Sequence, residues 1–312
     1  VRQYLKPQQQ INLMMNNDLM VSVCCTTYNH KPFIAQTIES FLMQQTNFQF
    51  EIVVGDDCST DGTSAVLETF REKYPTKIKV LSAPQNIGAH RNMINTANAC
   101  KGKYLALCDG DDYWTDPYKL QKQVDFLEQN PEYIICCHYT RVIDTDNNTL
   151  YVEPKPVPLV HTYYDLLVGK QVETKTATVV YHNIAAVNQV FQMPWFINCY
   201  AGDKLLKLFA TFNTGRKIYV IPEVMSCYRN HAGGVWSMIR TEARMEMMIS
   251  DFNLIIKNFS YRAVHKKRLL LLYIKRYLLF ELKRFRVLKA YNTMKYLLQP
   301  LLVIFIVYNI VA

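Results

Sequence analysis

Neither GxGxxG nor GxxxxGK[ST] occurs in this sequence, so a nicotinamide site and a P-loop are both unsupported. The histidines and cysteines show no zinc spacing. No apolar run reaches the about 20 residues needed to span a bilayer. The final one, Leu301–Val307 and on to Ala312, is short and is interrupted by Pro300 and Asn309. It reads as an interfacial anchor or as the start of a span that continues beyond Ala312. No internal repeat or long low-complexity segment is present. No signal peptide precedes the nine cysteines, and the chain begins at Val1 rather than Met, which leaves the true N-terminus open. The cysteines sit in apolar runs, four of them as the neighbouring pairs Cys24-Cys25 and Cys136-Cys137, which rarely bridge. A reducing cytoplasm is the expectation.

What is present is a globular composition: 312 residues, half of them hydrophobic and a fifth charged. That length suits one large α/β domain or two small ones. The formal charge of +9 is uneven. From Lys257 onward there are 12 Lys and Arg against one acid, Glu281, a balance of +11. The rest carries 23 basic and 25 acidic residues, a balance of −2. The excess belongs to one tail, so the body need not meet a polyanion, and no nucleic-acid partner is expected.

The first 18 residues are polar and read as an arm. Short apolar runs then alternate with helical spacing. Strands are predicted at Met20–Thr26, Phe50–Gly55, Ile78–Ser82 and Lys103–Cys108. Helices are predicted at Pro32–Gln45, Ser64–Lys73 and His90–Ala99, and another opens with Asp116 as cap and Pro117 in the first turn. Further on, strands are expected at Ile134–Val142, Thr176–Tyr181 and Val224–Arg229, and a helix at Lys204–Phe212. Such alternation implies a mostly parallel sheet with helices on both faces. Residues 19–240 read as one domain, with 19–130 as one half and 131–240 as the other, followed by a helical tail over 241–312.

Ligands of such sheets bind beyond the carboxyl ends of the strands. Four polar clusters fall there: Thr26-Thr27-Tyr28-Asn29, Asp56-Asp57-Cys58-Ser59, Asn86-Ile87-Gly88 leading to Arg91, and Asp109-Gly110-Asp111-Asp112. Three carboxylates in four residues repel one another unless a hard cation lies among them. Gly110 is expected to permit a tight turn between the acids. The plain alternative is a solvated acidic turn. Asp57 exceeds what the Ser59–Gly62 turn needs and can accept from the N–H of a uracil-like base, whereas its neighbours can simply cap and turn. Arg91 can fork onto phosphate, or be an ordinary surface arginine. Asp203 suits an N-cap, and equally a general base. Tyr228–Ser237 joins Arg229, His231 and a glycine pair in a stretch suited to closing over a diphosphate, or forms an ordinary loop around Trp236.

These residues resemble the family 2 inverting glycosyltransferases of the GT-A fold. The resemblance covers roughly residues 20–237 and rests on the four clusters in their order and spacing, including Asp56 through Thr63 and Arg91-Asn92. It implies that Thr26, Tyr28, Asp57, Arg91 and Asp109 serve the nucleotide. Asp109 and Asp111 match the DxD motif, with Asp111 as the metal contact and Asp112 as a helper. Asp203 matches the catalytic base, and His231 a histidine that helps hold the donor diphosphate. The implied cofactor is Mn²⁺ or Mg²⁺, and the implied partners are a nucleotide-sugar donor, a UDP-sugar above others, and a saccharide or lipid-linked acceptor of surface polysaccharide synthesis. No clear QxxRW motif of the processive members is present, which implies single-sugar transfer.

Residues 262–289 interleave Arg and Lys with Leu, Tyr and Phe, a pattern that suits either an anionic leaflet or packing on the domain with a solvated basic face. The expected location is cytoplasmic, with a peripheral contact at the inner face of the cell membrane through residues 257–312. Two rivals remain at this level. A sugar nucleotidyltransferase would want a glycine-rich basic loop after the first strand, which Thr26–Asn29 is not. An inactive sugar-nucleotide-binding scaffold would have no need of Asp109, Asp111 and Asp203.

Overall fold

A computed structural model describes residues 19–234 and 239–298. The polar arm, Val235, Trp236, Ser237 and the apolar run from Leu301 lie outside the described residues.

Ten strands form one sheet: β1 (Leu19–Thr27), β2 (Gln49–Asp56), β3 (Ile78–Ser82), β4 (Tyr104–Asp109), β5 (Tyr113–Trp114), β6 (Tyr133–Ile143), β7 (Thr149–Tyr151), β8 (Leu159–His161), β9 (Val180–His182) and β10 (Lys217–Arg229). Their order is β3-β2-β1-β4-β9-β6-β10-β5, with β7 beside β6 and β8 beside β10. β1 to β4 are parallel, as are β6 and β10, while β9 runs against both of its neighbours. The chain winds outward from β1 to β3 and then crosses back to β4 on the other side of β1. A crevice forms at that reversal, where connections leave in opposite directions. Thr26 is in register with Asp109 across it.

The helices are α1 (Ile34–Leu42), α2 (Thr63–Lys73), α3 (Ala89–Ala99), α4 (Lys119–Gln129), α5 (Tyr163–Leu167), α6 (Ala185–Asn188), α7 (Gly202–Thr214), α8 (Thr241–Asn258), α9 (Ala263–Tyr273) and α10 (Leu279–Lys283). They cover both faces of the sheet, and side-chain alternation along the strands gives each face its own core. Val23, Cys25, Val54, Ala106 and Cys136 pack toward α1, α2 and α4. Cys24, Val53, Leu107 and Cys137 pack on the other face, with α7 and α8. Each cysteine pair therefore points to opposite faces, and all nine cysteines are free.

Two local expectations change. The helix after Asp116-Pro117 begins at Lys119 with Tyr118 at its cap position, because the Asp116 carboxylate accepts the Tyr118 N–H (2.7 Å) inside a preceding turn. Thr176–Thr178 is a 3₁₀ turn rather than strand, and pairing starts only at Val180.

Beyond residue 240 the helices join the second core through Ile249, Phe252, Ile255, Leu269, Tyr273 and Tyr277. A π-helical turn, Ile274–Leu278, connects α9 to α10. Arg284 and Arg286 pair with Glu246 of α8, so part of the basic face is neutralised within the protein. The opposite side leaves Leu279, Phe285, Leu288 and Tyr291 exposed. No described helix is long and apolar enough to cross a membrane.

Candidate active site

The loops beyond β1, β2 and β4 are tied together by short polar contacts. Asn29, in the left-handed region (φ 56°), receives the Thr60 N–H on its side chain (2.8 Å) and donates its own N–H to Ser59 (2.9 Å). Asp56 accepts from Ser59 and Ser64, and Asp61 accepts from Thr63 and from the Lys31 N–H (2.9 Å). These acids do the turn-making work that the plain reading allowed. Asp57 is buried and accepts the Ile87 N–H (2.7 Å) and the Gly88 N–H (2.9 Å). It holds the loop after β3 against the crevice, with Gly88 in the left-handed region (φ 88°). Tyr28 is exposed at the crevice mouth, and Arg91 is exposed on the first turn of α3.

Gly110 is required by space rather than by a left-handed turn. A Cβ there would lie 2.6 Å from Thr27 Oγ1 and 3.1 Å from His30 Nδ1. This close approach brings Asp111 to two imidazoles. His231 Nε2 lies 2.9 Å and His30 Nε2 3.7 Å from the same carboxylate oxygen. The three ligand atoms lie within 4.8 Å of one another. The Gly233 N–H points at His231 Nδ1 (3.2 Å), and His231 Nε2 faces the Asp111 carboxylate. Burial raises the Asp111 carboxyl, but His231 and His30 outweigh it and hold the group below the usual aspartate range. Burial pulls His30 down, so its imidazole is neutral near neutral pH, as a metal ligand must be.

The other two acids of this loop behave differently. Asp109 accepts from the Thr26 hydroxyl (2.9 Å), and burial followed by Asp111 pushes it up to about 7. Asp112 stands outside the three-residue group. It is 1% exposed, accepts the Arg229 N–H (2.8 Å), and is driven well up by burial and by Asp111 and Asp109. Its Oδ1 thereby ties the acidic loop to the end of β10, while no described group partners its Oδ2. Arg229 is buried too. Its Nε donates to Asp111 O (3.1 Å), its guanidinium reaches Gln36 (2.8 Å) and Asn147 (3.0 Å), and it lies over Phe33. Rather than facing a diphosphate, it clamps the end of β10 to the acidic loop.

Asp203 is the second residue of α7, and Ala201 occupies the cap position. The carboxylate is therefore free of capping and pairs with Lys207 Nζ (2.8 Å), a 2% exposed lysine. Burial raises Asp203, but Lys207 and the Lys204 N–H prevail, so it is ionised. Gly202 lets His90 approach, since a Cβ would sit 2.8 Å from His90 Nε2. Tyr228 shows that the acids converge: after burial, Asp112, Asp111, Asp109 and Asp203 together raise its phenol. Spacing did not reveal His30 as a partner of Asp111, because its signal is a lone histidine in a turn; nor did it reveal Asp251, which receives the Tyr200 and Ala201 N–H groups (2.9 Å each) just ahead of α7.

A carboxylate–imidazole pocket able to hold a divalent ion, an ionised aspartate across the same crevice and a buried nucleotide-side acid can serve transfer from a nucleotide-linked group. Comparison with known proteins agrees. Residues 22–190 match the family model described as Glycosyl transferase family 2. An uncharacterized protein of Mycobacterium tuberculosis is 33% identical over 231 residues, 72% of this chain and 62% of that protein. The chain thus spans less than two thirds of that relative's length. Staphylococcus aureus TarS 1-349, solved in complex with UDP-GlcNAc, superposes with a TM-score of 0.61 at 21% identity, over 81% of this chain and 71% of that one. Mannosyltransferase PcManGT of Pyrobaculum calidifontis, solved with GDP-Man and Mn²⁺, superposes with a TM-score of 0.58 at 15% identity, over 91% of this chain and 86% of that one.

Proposed function

The chain belongs to glycosyl transferase family 2, and on that premise we propose that it moves a single sugar from a UDP-sugar to a saccharide or lipid-linked acceptor, with inversion, in surface polysaccharide synthesis. The observation that carries this reading is the meeting of Asp111, His30 and His231 beyond the end of β4, with Asp203 near enough to raise Asp109 and Tyr228 electrostatically. Thr26, Tyr28, Asp57, Arg91 and Asp109 are the nucleotide side. TarS was solved with UDP-GlcNAc, which favours UDP over other carriers. Asp57 acts there through the Ile87–Gly88 loop and with the remaining lone pairs of its carboxylate.

The metal ligands are Asp111, His30 and His231. Two imidazoles with one carboxylate suit a transition cation such as Mn²⁺ better than Mg²⁺, which favours all-oxygen sites, and PcManGT was solved with Mn²⁺. The bound ion supplies positive charge to the departing diphosphate. Asp203 takes the proton of the acceptor hydroxyl, whose oxygen bonds to the anomeric carbon as the bond to the diphosphate breaks on the opposite face. Lys207 keeps Asp203 ionised and fixes its orientation.

The exposed apolar and basic residues of the last helices, Leu279, Phe285, Leu288 and Lys289 among them, support a peripheral contact with an anionic membrane. The transfer reading is tested by UDP release from a panel of UDP-sugars. Release with Mn²⁺ that stops on chelation is expected, and no release from any donor contradicts it. Flotation on anionic vesicles tests the membrane contact: the full chain floats and the variant Phe285→Ser with Leu288→Ser and Lys289→Ser does not, whereas identical behaviour refutes it.

A further inference from the structure

Beside Asp203 lies a cleft of about 490 Å³, lined by Gln171, Lys175, Lys204, Met248 and Asp251 among others. Its two acids are already engaged. Asp203 pairs with Lys207 (2.8 Å), and Asp251 accepts two backbone N–H groups (2.9 Å each). Its other two cations are not: Lys175 and Lys204 make no side-chain hydrogen bond or ion pair among the described residues. Lys204 lines the cleft, and burial, opposed by Asp251 and Asp203 and reinforced by Lys207 and Arg276, lowers its ammonium. An unpaired, half-buried ammonium is costly unless a ligand's negative charge completes it. Neutral sugars are held by amides, carboxylates and hydroxyls with free hydrogen-bonding capacity. Here Thr174 is already bonded to Gln171 O and Lys207, which leaves Gln171, among the described residues, as the one uncharged polar side chain of the lining not so engaged.

We propose that this cleft is an acceptor subsite for a phosphate group, with Lys204 and Lys175 as its contacts. The acceptor class is then a phosphate-bearing saccharide, with its hydroxyl at Asp203 and its phosphate further along the cleft. Met248 and Asp251 come from α8, so the helices beyond residue 240 complete the subsite. This inference rests on the glycosyltransferase reading for the role of Asp203, but the binding it predicts is measured without transfer.

The full chain is saturated with UDP and Mn²⁺, and binding of N-acetylglucosamine 1-phosphate and of N-acetylglucosamine is followed by calorimetry. The phosphosugar is expected to bind at least about tenfold more tightly, the equivalent of one charge-assisted contact. The double variant Lys175→Ala with Lys204→Ala erases that preference, and Lys204→Arg keeps most of it. Measurable and equal affinity for the two probes in the wild type, or an unchanged preference in the double variant, overturns the proposal. Vesicles carrying polyprenyl-diphosphate-linked N-acetylglucosamine separate the sources. Lysine-dependent binding to vesicles but not to the soluble probe assigns the subsite to a lipid headgroup, lysine-dependent binding to both assigns it to phosphosugars generally, and lysine-independent binding to both contradicts it. If UDP release proceeds normally while no phosphate preference exists, this subsite fails and the transferase reading stands.

Discussion

The acids on the two sides of the crevice are held by different means. On the nucleotide side Asp56, Asp57 and Asp61 are fixed by hydroxyls and backbone N–H groups of the loops that follow β1 to β3. On the acceptor side Asp203 depends on a buried lysine one turn away and on Asp251, which reaches in from α8 to secure the peptide groups before α7. Short-range chemistry builds the first side and tertiary contact the second.

The sharpest test of that contrast is at its two ends. Asp203→Asn is expected to lower kcat for transfer by about 10³-fold with the fold intact, the range for loss of a general base. Near-normal turnover would exclude Asp203 as base. Asp251→Ala acts one step back. The Tyr200 and Ala201 N–H groups lose charge-assisted partners, so we expect a loss of about 2–3 kcal/mol of stability and a fall of about tenfold in kcat with the donor KM unchanged. Asp57→Ala should show the reverse pattern, raising the donor KM by about tenfold with a smaller effect on the acceptor KM. If both variants moved the same constant, the division between the two sides would not hold.

Much of the first side was legible in the sequence. Strands ending at Thr26, Gly55 and Cys108 are visible as apolar runs, each within a residue of its end in the fold, and the β1–β4 reversal brings Thr26 and Asp109 together. Three things were not. His30 offered no pattern, because its approach to Asp111 is set by the room Gly110 leaves beside Thr27. Residue type alone does not separate Asp109, Asp111 and Asp112, whereas in the fold burial drives the Asp112 carboxyl well up while His231 and His30 hold Asp111 low. Asp251 lies in a helix whose charge pattern says nothing about the loop it secures.

The smallest expected effect lies outside the site. Lys119 is fully buried, sits 4.0 Å from the Trp114 ring centroid, and is held down at about 7 by burial. In the unfolded chain it keeps its proton to about 10.4. Between those values the unfolded state binds a proton that the folded state has released, so this group makes stability rise with pH through that window and lose the gain as pH falls through about 7. Lys119→Met is expected to flatten that slope and to stabilise the protein by about 2 kcal/mol near pH 6, as read by urea unfolding at several pH values. An unchanged slope would mean that Lys119 titrates normally. Because Lys119 is buried at the start of α4 and belongs to no proposed site contact, UDP release should scarcely change.

The central claim is that one divalent ion sits between Asp111, His30 and His231 when the donor binds. Crystals grown with UDP and Mn²⁺, measured at the manganese absorption edge, locate the ion directly. One anomalous peak is expected within about 2.5 Å of all three side chains. A peak coordinated by Asp109 or Asp112 without the two histidines would contradict it.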